Sequence, residues 1–352
     1  MIAAFVFTSY TNPDSAPMVR IRAMADTFEL MGWDVELVPS SILATRRRSR
    51  AVEGWLGSFA DHVDLVLVVG SDPRLCGGAR RWCRHNGVPV VSDILDWYSI
   101  WDVSGFASKL LIAYQNIWFM RLQVRDLDGA IVPGRCLGGF CGVRRVPYIV
   151  MPAVLPEFDH VMSYDPPIGF SLTYAGNPGK RDEKTLENLR RLGSDPAFGH
   201  EIEIRIIGGE VCQRTGNLVE YGRLSRSRTI DIVRSSSFTV LQRPANRRFA
   251  RSGFPSKVAE SLLLGVPVIT NLTSDLGDVI VDRKNGIVLG SESYDSLVEG
   301  VVRAVDWYDA GDVDPFYISR DAESRFTPRA YSERLSLFLR DVFSRFDGRT
   351  VR

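Results

Sequence analysis

The feature that most constrains the fold is a rhythm: short β-rich apolar runs alternate with helical segments, pause at a proline-rich stretch, and start again. Strand–helix alternation is the signature of parallel sheets covered by helices on both faces. Residues 63–69 are nearly unbroken valine and leucine, as a strand buried on both faces requires. The first series places strands at 2–8, 35–38, 65–69, 88–92, 130–132 and 148–151, with helices near 19–31, 51–60, 74–86 and 106–124. Residues 151–167 hold Pro152, Pro156, Pro166 and Pro167, and the pattern restarts at 171–175. The second series places strands at 202–207, 218–221, 238–241, 266–270 and 287–289, and helices near 183–192, 225–235, 256–264 and 294–308. A chain of 352 residues suits two such α/β domains, assigned to 1–160 and 165–328. In doubly wound sheets ligands bind at the carboxyl ends of the strands.

Composition narrows the classes. A formal charge of +1 gives no global electrostatic case for a nucleic-acid partner, and 24% charged residues argue against disorder. Five cysteines (Cys76, Cys83, Cys136, Cys141, Cys212) fit neither a paired zinc site nor a disulfide framework, so most are expected as packed thiols. The first ten residues lack a basic leader and a cleavage site, and no run reaches the roughly 18 apolar residues of a spanning helix. The expected location is the cytoplasm.

Residues 253–269 carry the strongest chemical signal. Gly253, Phe254 and Pro255 form a loop, Ser256 to Leu264 about two helical turns, Gly265 a stop, and Val266 onward a strand. Lys257 and Glu260 interrupt this otherwise buried pattern as an i, i+3 pair near a helix N-terminus. That end attracts phosphate, which a lysine neutralises further, and a carboxylate three residues on can accept from ribose hydroxyls. The competing reading is an ordinary surface Lys/Glu pair. A second loop, "AGNPGKRD", follows a strand directly, and Gly176, Pro178 and Gly179 bring bare backbone close while Lys180 and Arg181 supply charge. Arg243 lies just past the strand 238–241, ahead of Arg247, Arg248 and Arg251, and is the favoured cation of the four.

In the first domain Asp93 and Asp96 follow the strand 88–92, where an acceptor molecule would lie, with Trp97 and Tyr98 able to stack on a sugar or simply to pack. None of the four histidines (His62, His85, His160, His200) stands at an obvious catalytic position. Arg46, Arg47, Arg48 and Arg50 near Trp55, Leu56 and Phe59 suit either a solvated helix start or contact with an anionic membrane. The helix 106–122 is apolar around most of its circumference and is expected in the core.

The run from Phe254 to Leu289, "FPSKVAESLLLGVPVITNLTSDLGDVIVDRKNGIVL", resembles the donor-site signature of retaining GT-B glycosyltransferases of the family 4 type, in particular bacterial polysaccharide and cell-surface glycan enzymes with a Phe-Pro-Thr-Lys-x-x-Glu-Ser motif. "DILDWYS" (Asp93 to Ser99), "DGAIVPGRCL" (Asp128 to Leu137) and "YAGNPGKRD" (Tyr174 to Asp182) are similar to further segments of that subgroup, in the same order. The resemblance implies an α/β chain of the GT-B fold, two doubly wound Rossmann-like domains facing across a cleft, with a last helix (329–352) returning to the first. It implies transfer of a hexose-type unit from a nucleoside diphosphate sugar to a glycan or lipid-linked acceptor, with the anomeric configuration kept. Lys257 with Lys180 or Arg181 would stabilise the departing diphosphate, Glu260 would take the ribose, Phe254, Pro255 and Ser256 would border the sugar, and Asp96 would orient the acceptor or act as a weak base. No cofactor or metal is called for, since cationic side chains supply the charge. Many relatives carry a further glutamate eight residues before Glu260; here that position is Ser252, and the loop 252–255 would present backbone N–H groups instead. The alternatives are a catalytically silent sugar-nucleotide-binding partner and a nucleotide-sugar epimerase of the same fold.

Overall fold

The computed structural model describes residues 1–7, 14–43, 45, 47–59, 63–158, 169–176, 182–195 and 202–350. By packing, the chain divides into two compact units, one of residues 1–156, 252–254 and 327–352, the other of 157–251 and 255–326.

In the first unit, β1 (Ile2–Phe7), α1 (Ala16–Leu30), β2 (Asp34–Leu37), α2 (Ser40–Leu43), α3 (Arg48–Gly57), β3 (Leu65–Val69), α4 (Pro73–Asn86), β4 (Val90–Asp93), α5 (Phe106–Tyr114), β5 (Gly129–Val132), α6 (Arg135–Val143) and β6 (Tyr148–Val150) follow in order. The six strands form one parallel sheet in the order β2-β1-β3-β4-β5-β6. All of β3 is buried, as its valine-leucine run requires. Helix α6 is unexpected, because Gly138, Gly139 and Gly142 disfavour a helix. The fold uses one of them: a Cβ on Gly138 would stand 2.5 Å from the Tyr148 ring, so the helix lies against β6 only with glycine there. Tyr331, Leu335, Leu339 and Val342 of the last helix, α13 (Pro328–Thr350), belong to this core. Gly129 in β5 admits that helix, since a Cβ there would meet Phe338 and Val342 at 2.9 Å.

The second unit runs β7 (Phe170–Ala175), α7 (Glu183–Gly193), β8 (Ile202–Ile207), β9 (Cys212–Thr215), β10 (Leu218–Tyr221), α8 (Arg226–Arg234), β11 (Phe238–Leu241), α9 (Arg248–Ser252, its last residue belonging to the first unit), α10 (Ser256–Leu263), β12 (Val268–Asn271), β13 (Gly286–Leu289), α11 (Tyr294–Asp309) and α12 (Pro315–Phe326). Its sheet has the order β13-β12-β11-β7-β8-β10-β9, parallel except for β9, which pairs antiparallel with β10. Strand β9 has all four residues exposed and so lacks the apolar alternation that would have marked it. The order reverses at β7, with β8 on one side and β11 on the other. That reversal is a topological switch point, where open α/β sheets leave a crevice at the strand ends.

The helix expected over 106–124 is built differently from an ordinary core helix. After α5 it continues as a π-helix over Gln115–Gln123 and a 3-10 turn over Val124–Asp126. Ile112, Phe119, Met120 and Val124 are buried, whereas Phe106, Leu110, Leu111, Tyr114, Ile117, Trp118 and Leu122 are exposed. The expectation of a core helix holds for one face only.

Candidate functional site

Helix α10 stands just beyond the switch point. Pro255 occupies its N-cap, a position whose residue normally satisfies an early N–H with its side chain, and here there is no such bond. The helix ends as its sequence promises. Gly265 adopts φ +75°, its N–H donates to the Leu262 carbonyl, and the Val266 N–H donates to the Ser261 carbonyl, a Schellman closure. That closure occupies Val266 and Pro267, so β12 starts at Val268, two residues later than expected. Val258, Ala259, Ser261, Leu262 and Leu263 face inward. Lys257 and Glu260 lie on the other side, their side chains 30% and 23% exposed.

Each of these two charges is held by a different element. The Lys257 ammonium donates to Asp182 Oδ2 at 2.5 Å and to the Tyr174 hydroxyl at 2.8 Å, and that hydroxyl donates to Asp182 Oδ2 at 2.7 Å. Tyr174 is the last residue but one of β7 and Asp182 immediately precedes α7, so the lysine ties α10 to the strand tip and to the start of the next helix. Gly176 makes room: a Cβ there would stand 2.2 Å from Lys257 Nζ. Glu260 meets Arg226, the first residue of α8, at 2.7 Å between Oε1 and Nη2. The approach lies off the hydrogen-bond axis, so both atoms keep hydrogen-bonding capacity although buried. A surface Lys/Glu pair bonded to itself is not what α10 presents. Beneath it Thr173, Thr239 and Ser261 line a cavity of about 20 Å³, room for one water. Ser261 donates to the Val266 carbonyl and shares a 2.6 Å contact with Thr239.

The other expected donor residues divide. Gly179, Lys180 and Arg181 lie outside the described residues. Arg243 is buried: Asn271 holds its backbone N–H and carbonyl, both at 2.8 Å, and its guanidinium lies 5.1 Å from the Phe249 ring centre. It stands just past a strand end, as expected, with its guanidinium turned toward Phe249 in α9, the short helix that follows. Ser256 and Phe254 are half-buried and Pro255 is buried. Ser252 is fully buried; its hydroxyl accepts from the Trp97 N–H and donates to the Trp97 carbonyl, both at 3.3 Å, so its side chain has a structural task.

In the first unit Asp93 corrects an expectation. It is 0% exposed, and its two oxygens accept from Nε and Nη2 of Arg20 at 2.8 and 2.9 Å. Arg20 also donates to the Met151 and Pro152 carbonyls, so the pair fastens α1, β4 and the end of β6 and leaves Asp93 nothing to offer an acceptor. Burial opposes the charge on Arg20, but Asp93 outweighs it and lifts the guanidinium above its ordinary pKa. Asp96 is half-buried and accepts from the Tyr98 hydroxyl at 2.9 Å. Trp97 packs: its ring centre is 4.5 Å from that of Phe140 and its indole N–H donates to Asn116. Two Asp-x-Asp triplets, 126–128 and 312–314, have structural partners, with Asp126 paired to Arg80, Asp128 accepting from the Val90 N–H and Asp314 from the Tyr317 N–H. Among the described residues no group of three His, Cys, Asp or Glu side chains could hold a metal ion.

No protein-family model and no curated protein sequence matches the chain. Solved structures do match, over nearly its whole length. Sucrose-phosphate synthase from Thermosynechococcus elongatus has a TM-score of 0.72 at 12% identity, covering 98% of this chain and 100% of that one. The lipopolysaccharide outer core galactosyltransferase WaaB, in its apo form, gives 0.62 at 16% identity, covering 97% and 99%. HepE from Anabaena, in complex with UDP-glucose, gives 0.64 at 12% identity, covering 97% and 100%. The chain has the GT-B fold.

Lys257 and Glu260 were expected near a helix N-terminus, with the chemistry in loops that follow the second domain's strands, and the network around them adds three residues that sequence reasoning missed. Asp182 ends the "YAGNPGKRD" segment, where the glycines and the two cations carry the stronger signal. Tyr174 reads as an ordinary strand residue. Arg226 stands 34 positions before Glu260 in a serine-arginine run, with no local signal of the pairing.

Proposed function

We propose that this GT-B chain is a retaining glycosyltransferase that moves a hexose-type unit from a nucleoside diphosphate sugar to a glycan or lipid-linked acceptor in cell-surface polysaccharide synthesis. The observation that carries the proposal is the pair on α10: Lys257 and Glu260, three residues apart at the switch point, each held by a separate countercharge on another element. The Lys257 ammonium exchanges its bond with Asp182 for the diphosphate, helped by the early N–H groups of α10. Glu260, oriented by Arg226, accepts from the ribose hydroxyls. The acceptor attacks from the face the diphosphate leaves, and the leaving phosphate takes the acceptor's proton, so the protein positions the reactants and stabilises charge without an enzymic base. UDP-glucose, the ligand of the HepE structure, is the first donor to try.

The test is nucleotide release from UDP-, GDP- and ADP-sugars, with and without a bacterial lipid extract, in the parent chain and in Lys257→Ala and Glu260→Ala. Release from one donor that is lost in both variants supports transfer and names the donor. Binding without release under every condition would point to a catalytically silent partner. No binding at all would remove the donor-site assignment.

A further inference from the structure

The apolar face of α5 and its π-helical continuation lies open at the surface. Trp118 is 51% exposed, Leu110 54% and Leu122 48%, and Tyr114 belongs to the same row. These four recur every fourth residue. On an α-helix of 3.6 residues per turn such a row drifts steadily round the axis; the π-helix, bonded i to i+5, takes more residues per turn and turns the row back. The switch from α to π at Gln115 therefore keeps the row on one side, while Asn116, Phe119 and Met120 hold the other side to the fold. The chain contributes no Asp or Glu between Ser104 and Arg125, but it contributes Lys109, Arg121 and Arg125. Arg144, at the end of α6, stands close enough to feel both arginines, whose charges add to burial in lowering its pKa. Beside it Val143 is 85% exposed. No helix among the described residues is long and apolar enough to cross a membrane. A cationic rim around an apolar row suits the headgroup layer of an anionic bilayer, where an in-plane helix buries its apolar side and basic residues meet lipid phosphates.

We propose that this face docks the protein on an anionic membrane surface, with Tyr114, Trp118 and Leu122 entering the acyl boundary and Arg121 and Arg125 meeting the headgroups. Of the stretch suggested by sequence, Arg46 lies outside the described residues, and 47–50 is differently placed: its neighbours Trp55 and Leu56 are buried, and Arg48 pairs with Asp72. The proposal does not depend on sugar transfer.

The experiment is co-sedimentation of the full chain with vesicles of phosphatidylglycerol mixed with phosphatidylcholine, and with phosphatidylcholine alone. The parent chain should partition onto the anionic vesicles at least about tenfold better. Arg121→Glu with Arg125→Glu should abolish that preference, and Trp118→Gln with Leu122→Gln should weaken binding on the order of tenfold. Arg47→Glu with Arg50→Glu should leave binding unchanged. All changed side chains have surface positions, and circular dichroism melts check that each variant folds. Equal binding to both vesicles, equal binding by parent and variants, or loss only in the 47/50 variant would overturn the proposal. So would a dimer, seen by light scattering, that Trp118→Gln with Leu122→Gln converts to monomer, since the face would then serve a second copy.

Discussion

The two units place arginine- or lysine-to-carboxylate contacts at the ends of their sheets, yet the contacts differ in kind. In the first unit Arg20 and Asp93 are sealed from water, the carboxylate is bonded at both oxygens, and the remaining guanidinium N–H groups reach two main-chain carbonyls. In the second, Lys257 with Asp182 and Arg226 with Glu260 keep side-chain exposures between 13% and 30%, and Glu260 Oε1 retains hydrogen-bonding capacity. Saturation and burial, more than charge type, decide whether such a pair fastens a fold or stands ready to exchange its partner for a ligand.

The largest effect expected is on the sealed pair. Arg20→Ala leaves a buried, unpaired carboxylate and should cost about 3–5 kcal/mol of stability in urea unfolding. Replacing both partners by apolar residues, Arg20→Met with Asp93→Leu, should cost clearly less than the sum of the single changes. A loss below about 1 kcal/mol in Arg20→Ala would mean that the first pair is as replaceable as the second, and the contrast would collapse.

The second unit should show the reverse balance. Lys257→Ala should lower turnover of the active donor by about 10²–10³-fold while changing stability by no more than about 1 kcal/mol. Arg226→Ala acts through Glu260 and should act mainly on KM, with Arg226→Lys restoring part of it. Unfolding of Lys257→Ala at denaturant concentrations well below the parent's would reassign the lysine as a fastener.

This division was only partly legible in the sequence. The strand rhythm located 65–69, 202–207, 218–221 and 238–241 without error, because a strand buried on both faces reads as an apolar run, as at 65–69, and a half-buried one as alternation, as at 202–207 and 218–221. Helix α6 was hidden by its glycines, and β9 by its lack of apolar residues. Lys257 and Glu260 stood out because charge interrupts a buried pattern, but their partners come from 75 and 34 positions away, and no spacing rule reports such contacts. Asp93 was misjudged for the same reason: a carboxylate after a strand looks available until Arg20, 73 residues earlier, is folded onto it.

A finer test of the Lys257–Asp182 pair uses Gly176. A methyl group there would overlap the Lys257 ammonium, the movable end of a flexible side chain, so Gly176→Ala should fold normally but displace the charge. Displacement of about 1 Å at a reacting centre can cost up to 10²-fold, and a drop of about tenfold in turnover is expected. In a Lys257→Ala background the same change should do almost nothing, because the group it disturbs is gone. Additive losses would show that Gly176 acts on the backbone of its own loop.

The smallest effect separates the units by pH. Tyr294 donates to Asp195 at 2.6 Å and lies under the Arg191 guanidinium, joining α11 to α7. Burial, and then the bond to Asp195, raise its hydroxyl to about 12. An unfolded tyrosine ionises near pH 10, so the contribution of this bond is fully present below that pH. It falls as pH rises towards 12 and is gone above it. Arg20, its pKa raised, stays charged through the same window, and the first unit's fastener does not weaken with it. Alkaline melting should therefore reach the second unit first. Tyr294→Phe should cost about 1 kcal/mol at neutral pH and flatten the fall in melting temperature between about pH 10 and 12. Parallel slopes for parent and variant would place the alkaline weak point elsewhere and remove pH as a way to tell the two units apart.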